Sequence, residues 1–113
     1  MKYKGKIGYV TNDKLYGGSS NSGHYVLVKG YDERSRKMVV QKITSLEDTP
    51  YNFYNDRIKK VRNGLLLPIA KNDSNFSKWS AIDYTEHQVE LKDINFRTKK
   101  RISRKYQFNI RKK

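Results

Sequence analysis

Residues 24–45, HYVLVKGYDERSRKMVVQKITS, decide the fold, because they are typical of a long β-hairpin. The first run, residues 24–31, contains three consecutive apolar residues, as in a strand that is covered on both faces. The polar stretch at residues 32–37 is typical of a hairpin tip, and residues 37–45 are predicted to form the return strand. The hairpin indicates a protein built mainly from antiparallel strands.

Further short strands are expected on both sides of this hairpin, separated by turn residues. They are predicted at residues 6–11, 65–70, 79–84 and 105–110. Pro68 places its run at a sheet edge or a bulge, because proline has no N–H to donate to a neighbouring strand. Trp79 is expected in the core. The sequence therefore predicts a mainly β fold, a small curled sheet or barrel of five to six antiparallel strands.

The segments between the strands are less regular. Residues 16–23 are predicted to form a loop, since they are rich in Gly, Ser and Asn. Residues 46–63 have no clean period and are predicted to hold only a helical turn, at residues 56–61. Residues 89–94 are typical of a short strand or a single helical turn.

The chain of 113 residues is strongly basic, with a formal net charge of +14. Nine of its 25 Lys and Arg residues lie in residues 97–113, a stretch that contains no acidic residue. The other 16 basic and all 11 acidic residues leave residues 1–96 with a charge of +5. We therefore expect one domain over residues 1–96 and a basic C-terminal extension over residues 97–113. This charge favours a polyanionic partner, of which nucleic acid is the common one.

The composition also excludes several classes of protein. Cysteine is absent, which excludes disulfides, thiolate metal sites and cysteine nucleophiles. No apolar stretch approaches the roughly 20 residues of a membrane span, and the first residues lack the apolar core of a signal peptide. The acidic residues are scattered and no His pair has metal-ligand spacing, so neither a metal nor a cofactor is expected. We expect a cytoplasmic protein without a membrane segment.

Three stretches of the sequence are together similar to a known family. They are KGKIGYV with the following loop and GHYVLV (residues 4–28), VVQKITS (residues 39–45) and WSAIDYTEHQVELKDI (residues 79–94). These stretches resemble the MazF/PemK family of toxin endoribonucleases, although His24 stands where family members commonly carry an Arg. The resemblance implies an SH3-like barrel, metal-independent cleavage of single-stranded RNA, a cognate antitoxin of protein or RNA, and a homodimer.

The chemistry implied by this resemblance assigns roles to a few residues. His24 is the predicted acid or base, because a histidine pKa near 6.5 suits proton transfer near neutral pH. Thr44 and Ser45 are predicted hydroxyl donors to the phosphate, and Lys42 is a candidate cation that shares a strand face with Thr44. In the alternative, His24 bonds only to the loop backbone, and the two hydroxyls merely end the strand. His87 is expected in an exposed turn.

A second group of residues is predicted to bind the nucleic acid. Aromatic side chains in loops can stack on unpaired bases, and the alternative is that they form a local cluster that pins a loop. Arg and Lys side chains would contact phosphates. The predicted residues are Tyr16, Tyr25, Arg34, Arg36, Tyr51, Phe53, Tyr54, Arg97, Lys99, Lys100, Arg101, Arg104 and Lys105.

Two main functions are compatible with these residues. The first is a toxin-type endoribonuclease that cleaves single-stranded RNA without metal and is controlled by an antitoxin. The second is a non-catalytic barrel that binds RNA or DNA, as part of a plasmid, phage or ribosome-associated system. The Arg that is missing at the position of His24 favours the second function, whereas His24 with Thr44 and Ser45 favours the first.

Overall fold

A computed structural model describes residues 3–16, 22–98 and 100–103. Its described part contains five strands in one antiparallel sheet, which confirms the mainly β prediction; closure into an SH3-like barrel stays a prediction. The strands are β1 Ile7–Thr11, β2 Gly23–Asp32, β3 Lys37–Ser45, β4 Leu66–Ile69 and β5 Ser80–Val89, in the order β1-β2-β3-β5-β4. The helices are α1 Asn12–Tyr16 and α2 Tyr51–Arg62, with 3-10 turns at Asp73–Asn75 and Leu91–Asp93. The strand predicted at residues 105–110 lies outside the described residues.

The predicted hairpin is present as β2 and β3, which pair from Tyr25 opposite Ile43 to Asp32 opposite Lys37. Its tip is stabilised locally, because the Asp32 carboxylate accepts hydrogen bonds from the Arg34 backbone N–H at 3.1 Å and the Ser35 hydroxyl at 3.2 Å. Side chains of the hairpin therefore follow a fixed register along both strands.

Both faces of the sheet are covered, as the apolar run in β2 predicts. Val26 and Val28 pack on one face with Val10 of β1, and Leu27 packs on the other with Ile43 of β3. The three consecutive side chains of β2 are all fully buried. Successive residues of a strand point to opposite faces, so the residues of the hairpin between Tyr25 and Val28 and between Val40 and Ile43 can be assigned to a face; beyond Val28 a β-bulge shifts the register.

Helix α2 is longer than the single turn expected at residues 56–61. It has 12 residues and no buried side chain. Val61 is nevertheless partly buried and packs against the core cluster that contains Leu46 and Leu66. Tyr54, Ile58 and Val61 lie four and three residues apart, which is the spacing of one helix face. This short apolar stripe was a signal for α2 that sequence reasoning missed.

Three smaller expectations are corrected. Trp79 is 46% exposed, so the prediction that it lies in the core is wrong. Trp79 directly precedes β5, and its backbone carbonyl oxygen accepts a hydrogen bond from the Leu46 backbone N–H. His87 lies in β5 opposite Val40, not in an exposed turn, because β5 continues to Val89 beyond the predicted end at residue 84. Tyr16 ends α1 instead of opening a loop. The prediction for Pro68 is confirmed, since β4 is an edge strand.

Residues 94–98 and 100–103, here called the return segment, come back along the outer edge of β1. Asn95 pairs with Tyr9, Arg101 pairs with Lys6, and the Thr98 hydroxyl donates to the Ile7 carbonyl at 2.9 Å. Ile102 is 6% exposed and packs in the cluster that contains Ile7 and Leu27. The beginning of the predicted basic extension thus contributes to the core.

Replacing Ile102 with alanine is expected to lower the free energy of unfolding by about 2–4 kcal/mol, because it removes buried methyl groups and leaves a cavity. Urea unfolding followed by circular dichroism measures this change. Leu91→Ala is the matched control, since Leu91 is 43% exposed and its loss should change stability by less than about 0.5 kcal/mol. Equal stabilities of the two variants would contradict a core role for Ile102.

Candidate active site

His24 lies near the start of β2, half-buried and opposite Val10 of β1. Its ring Nδ1 is 3.3 Å from the backbone carbonyl oxygen of Ile43 in β3. A carbonyl oxygen only accepts hydrogen bonds, so Nδ1 carries the proton and donates it. In the neutral ring the lone pair is then on Nε2. The hydrogen bond goes to the neighbouring strand β3 and not to the loop backbone. It fixes the orientation of the His24 ring, which a catalytic base requires.

The surroundings of His24 lower its pKa below the usual value of 6.5. Burial is the largest cause, because it disfavours the charged ring; the hydrogen bond to Ile43 opposes it in part. The nearby positive charges of Lys42 and Arg57, and that of His87, lower the pKa further. The ring of His24 is therefore neutral at pH 7, the state in which Nε2 can accept a proton.

An NMR titration of the His24 ring protons is expected to give a midpoint below 6.5, and Lys42→Gln should raise that midpoint by removing a nearby positive charge. Stability is expected to fall as the pH drops below about 6.5, because the unfolded chain binds the proton before the folded chain does. A midpoint at or above that of a histidine in an unfolded peptide would contradict this environment.

The register places His24, Lys42 and Thr44 on one face of the sheet. His24 is two residues from Val26, Val26 pairs with Lys42, and Thr44 is two residues beyond Lys42. Ser45 continues the pairing of β3, opposite Ser80, and therefore points to the other face. The structure thus brings three of the four predicted catalytic residues to one face.

A cavity of about 170 Å³ lies between helix α2 and the part of this face that carries Lys42 and Thr44; we call it the helix cavity, and His24 is not among its lining residues. Thr44 is only 7% exposed, and its buried Oγ1 has no hydrogen-bond partner in the part of the chain that the structure describes. A buried hydroxyl without a partner costs stability, and Thr44 Oγ1 can therefore donate a hydrogen bond to a bound group or to water. The cavity is lined by Lys42, Thr44, Phe53, Asp56, Arg57, Lys60, Leu66 and Asp83.

The charges around the helix cavity are mixed, with three cations and two carboxylates. Lys42 lies 4.0 Å from Asp83, and Lys60 lies 3.3 Å from Asp56 on the same helix. Arg57 instead donates from Nη1 to the Ser45 carbonyl oxygen at 2.6 Å, which fixes the guanidinium beside the end of β3. Arg57 therefore contributes a cation that a backbone carbonyl, not a carboxylate, holds in place.

Sequence reasoning did not identify Arg57 or Lys60 as site residues. Both lie on α2, three residues apart, and so share one side of the helix. Their spacing would have been the signal, but it is informative only once a helix is recognised there.

Ser45 has a different role from Thr44. Its hydroxyl donates to the Glu47 carbonyl oxygen at 2.6 Å and accepts from the Glu47 backbone N–H at 3.1 Å. This local bonding is the alternative that the sequence left open for the two hydroxyls, and it applies to Ser45. Its role as a donor to phosphate stays a prediction.

A second cavity, of about 280 Å³, opens beside Ser45; we call it the aromatic cavity. Tyr25 forms edge-to-face contacts with Tyr9, at 5.5 Å between ring centroids, and with Phe76, at 5.6 Å. The Lys100 ammonium lies 4.8 Å from the Tyr25 ring centroid and 5.1 Å from that of Phe76. The cavity is lined by Tyr25, Ile43, Thr44, Ser45, Phe76, Ser77, Lys78, Ser80 and Lys100.

The other predicted binding residues that the structure describes belong to several separate segments. Tyr51, Phe53 and Tyr54 project from α2 with 79%, 54% and 43% of their surfaces exposed. Arg34 and Arg36 are exposed at the hairpin tip, and the length of β3 separates them from Ser45 by roughly 25 Å. Arg97, Lys100 and Arg101 lie in the return segment, Tyr16 ends α1, and Lys99, Arg104 and Lys105 lie outside the described residues.

No family model, curated protein or solved structure matches this chain. The resemblance to the MazF/PemK family stays a prediction. Across residues 3–16, 22–98 and 100–103, no three His, Asp or Glu side chains are grouped so that they could hold a metal ion. Neither α-helix in these ranges has the length and apolar character to cross a membrane.

Proposed function

We propose that the protein is an endoribonuclease that cleaves single-stranded RNA without a metal ion, on the face of the sheet that carries His24, Lys42 and Thr44. The observation that supports this proposal is the hydrogen bond from His24 Nδ1–H to the Ile43 carbonyl oxygen, which leaves Nε2 as the basic nitrogen. The lowered pKa keeps that nitrogen unprotonated at neutral pH. A base with these properties is what removal of a proton from a 2′-hydroxyl requires.

In the proposed reaction, Nε2 of His24 takes the proton of the RNA 2′-hydroxyl. The 2′-oxygen attacks the adjacent phosphorus, the bond from phosphorus to the 5′-oxygen breaks, and that oxygen takes a proton from solvent. The products are a 2′,3′-cyclic phosphate and a 5′-hydroxyl end. Lys42 and Arg57 stabilise the charge that develops on the phosphate, and the Thr44 hydroxyl donates a hydrogen bond to it.

The partners follow from the same proposal. An RNA substrate places the protein in the cytoplasm, and a cognate antitoxin of protein or RNA would inhibit it by covering the cavities. The exposed aromatic residues of α2 are available for such a partner or for the RNA itself. A homodimer is part of the proposal through the family resemblance.

A non-catalytic nucleic-acid-binding protein is the second candidate. It is favoured by the carboxylates of Asp83 and Asp56, which already face two of the three cations in the helix cavity. Exposed aromatic and basic residues on α2 would serve binding alone equally well.

Incubation with end-labelled single-stranded RNA in EDTA separates the two functions. The nuclease is expected to produce defined cuts with cyclic phosphate ends, and to bind DNA of the same sequence without cutting it, because DNA lacks the 2′-hydroxyl. Binding of both the RNA and the DNA, with no cuts in either, would support the second candidate instead.

A further inference from the structure

A third cavity lies between the start of β1 and the return segment; we call it the cationic cleft. Its volume is about 310 Å³, and it is lined by Lys4, Gly5, Lys6, Ile7, Phe96, Thr98, Lys100, Arg101 and Ile102. Four of these described lining residues are cations and none is a carboxylate. The cationic cleft therefore differs from the helix cavity, where carboxylates offset most of the positive charge.

The backbone of the fold holds these cations in place. Lys6 and Arg101 form a β-bridge, and the Arg101 backbone N–H donates to the Ser74 carbonyl oxygen at 3.3 Å. The neighbouring Lys100 donates from Nζ to the Asn75 carbonyl oxygen at 3.2 Å. The cations thus come from two chain segments that pair through their main chains, and the side chains of Lys4, Lys6 and Arg101 belong to exposed residues.

The three cavities share lining residues. Lys100 lines both the cationic cleft and the aromatic cavity, and Thr44 lines both the aromatic cavity and the helix cavity. The cationic cleft therefore adjoins the aromatic cavity at Lys100, and the aromatic cavity adjoins the helix cavity at Thr44. We call these adjoining cavities the groove.

We propose that the groove binds the single-stranded RNA on one side of the cleaved bond, with backbone phosphates in the cationic cleft and an unpaired base against Tyr25. This inference rests on the proposed function, since it leads the strand to Thr44. Alternation of a cationic surface with aromatic side chains is how proteins hold single strands without reading their sequence. A cleft that contains cations and no carboxylate attracts a chain of phosphates.

The decisive variant is the double substitution Lys6→Gln with Arg101→Gln, which leaves the β-bridge intact because that pairing uses backbone atoms. Its matched control is Arg34→Gln with Arg36→Gln, which removes the same charge from exposed residues of the hairpin tip that line none of the three cavities. Binding is measured by fluorescence anisotropy with a labelled 2′-O-methyl RNA of about ten nucleotides, which cannot be cut. Affinity is recorded at several salt concentrations.

The groove variant is expected to bind about tenfold more weakly, with a salt slope smaller by about 1.4, because two phosphate contacts are lost. The control should stay within about twofold of the wild type. Tyr25→Ala should weaken binding by about tenfold. Tyr25→Phe should bind about as tightly as the wild type, because phenylalanine retains the stacking ring. Circular dichroism checks that each variant is folded. If the double variant unfolds, Lys4→Gln alone should lower the salt slope by about 0.7.

Equal weakening by the two double variants, or none by the groove variant, would overturn the groove as the binding surface. Tighter binding of DNA than of unmodified RNA by a His24→Gln protein would overturn RNA as the ligand. These outcomes are independent of cleavage. If the wild type cuts RNA and the two double variants bind RNA equally well, the nuclease proposal stands and the groove proposal is wrong. If only the groove variant binds RNA more weakly and the wild type makes no cuts, the groove is an RNA-binding surface and the nuclease proposal is wrong.

Discussion

Replacement of His24 with glutamine is expected to lower the rate of RNA cleavage by about 10²–10⁴-fold, while RNA binding stays close to that of the wild type. Glutamine fills much of the same space and is polar, but its amide cannot take a proton from the 2′-hydroxyl. Single-turnover cleavage of labelled RNA in EDTA measures the rate, and anisotropy measures the binding.

The matched control is His87→Gln, which changes the second histidine of the chain. His87 lies in β5 and is one of the groups near His24 that lower its pKa, so its replacement alters the surroundings of the base without removing it. The rate is expected to remain near that of the wild type at pH 7. Cleavage by His24→Gln at the wild-type rate would end the proposed mechanism, and equal losses in both variants would assign the effect to the surroundings of His24.

Local pattern predicted the central hairpin because its side chains have only two faces to point to. Consecutive Val26, Leu27 and Val28 indicate burial on both faces, and the sheet covers both. The same alternation placed Lys42 and Thr44 on a common face, with Ser45 opposite, which the register of β3 confirms. Here the position of a side chain follows from its neighbours in sequence.

Helix α2 and the residues that it carries could not be predicted in the same way. The helix has no fully buried side chain and its apolar stripe of Tyr54, Ile58 and Val61 is short, so its cations looked like part of a solvated turn. Arg57 reaches the end of β3 only because α2 is complete from Tyr51 to Arg62. A contact of this kind depends on two segments whose meeting is not visible in either sequence.

The partner of His24 is a second example of a long-range contact. Sequence reasoning placed its alternative hydrogen bond in the adjacent loop, whereas the ring reaches the Ile43 carbonyl, 19 residues away. Every residue of a strand has a backbone carbonyl that could accept this bond, so the pairing of the strands determines which carbonyl lies beside the ring. The identity of the acceptor, and with it the tautomer of the ring, follows from register and not from composition.

Replacement of Thr44 with valine is expected to change stability and activity in opposite directions. Valine has nearly the same shape and removes a buried hydroxyl that has no partner among the described residues, so the free energy of unfolding should rise by about 1 kcal/mol. If the hydroxyl donates to the phosphate in the transition state, the cleavage rate should fall by about 10²–10³-fold. Urea unfolding and single-turnover cleavage measure the two effects on the same protein.

Thr44→Ser is the matched control, because it keeps the hydroxyl and removes a buried methyl group. It should lose about 1 kcal/mol of stability and retain most of the activity, the reverse of the valine variant. A hydroxyl that served only to end the strand would give a different pattern, since valine would then leave the cleavage rate unchanged. The crossed result, a more stable inactive protein and a less stable active one, is expected only if the unpartnered hydroxyl of Thr44 is reserved for the substrate.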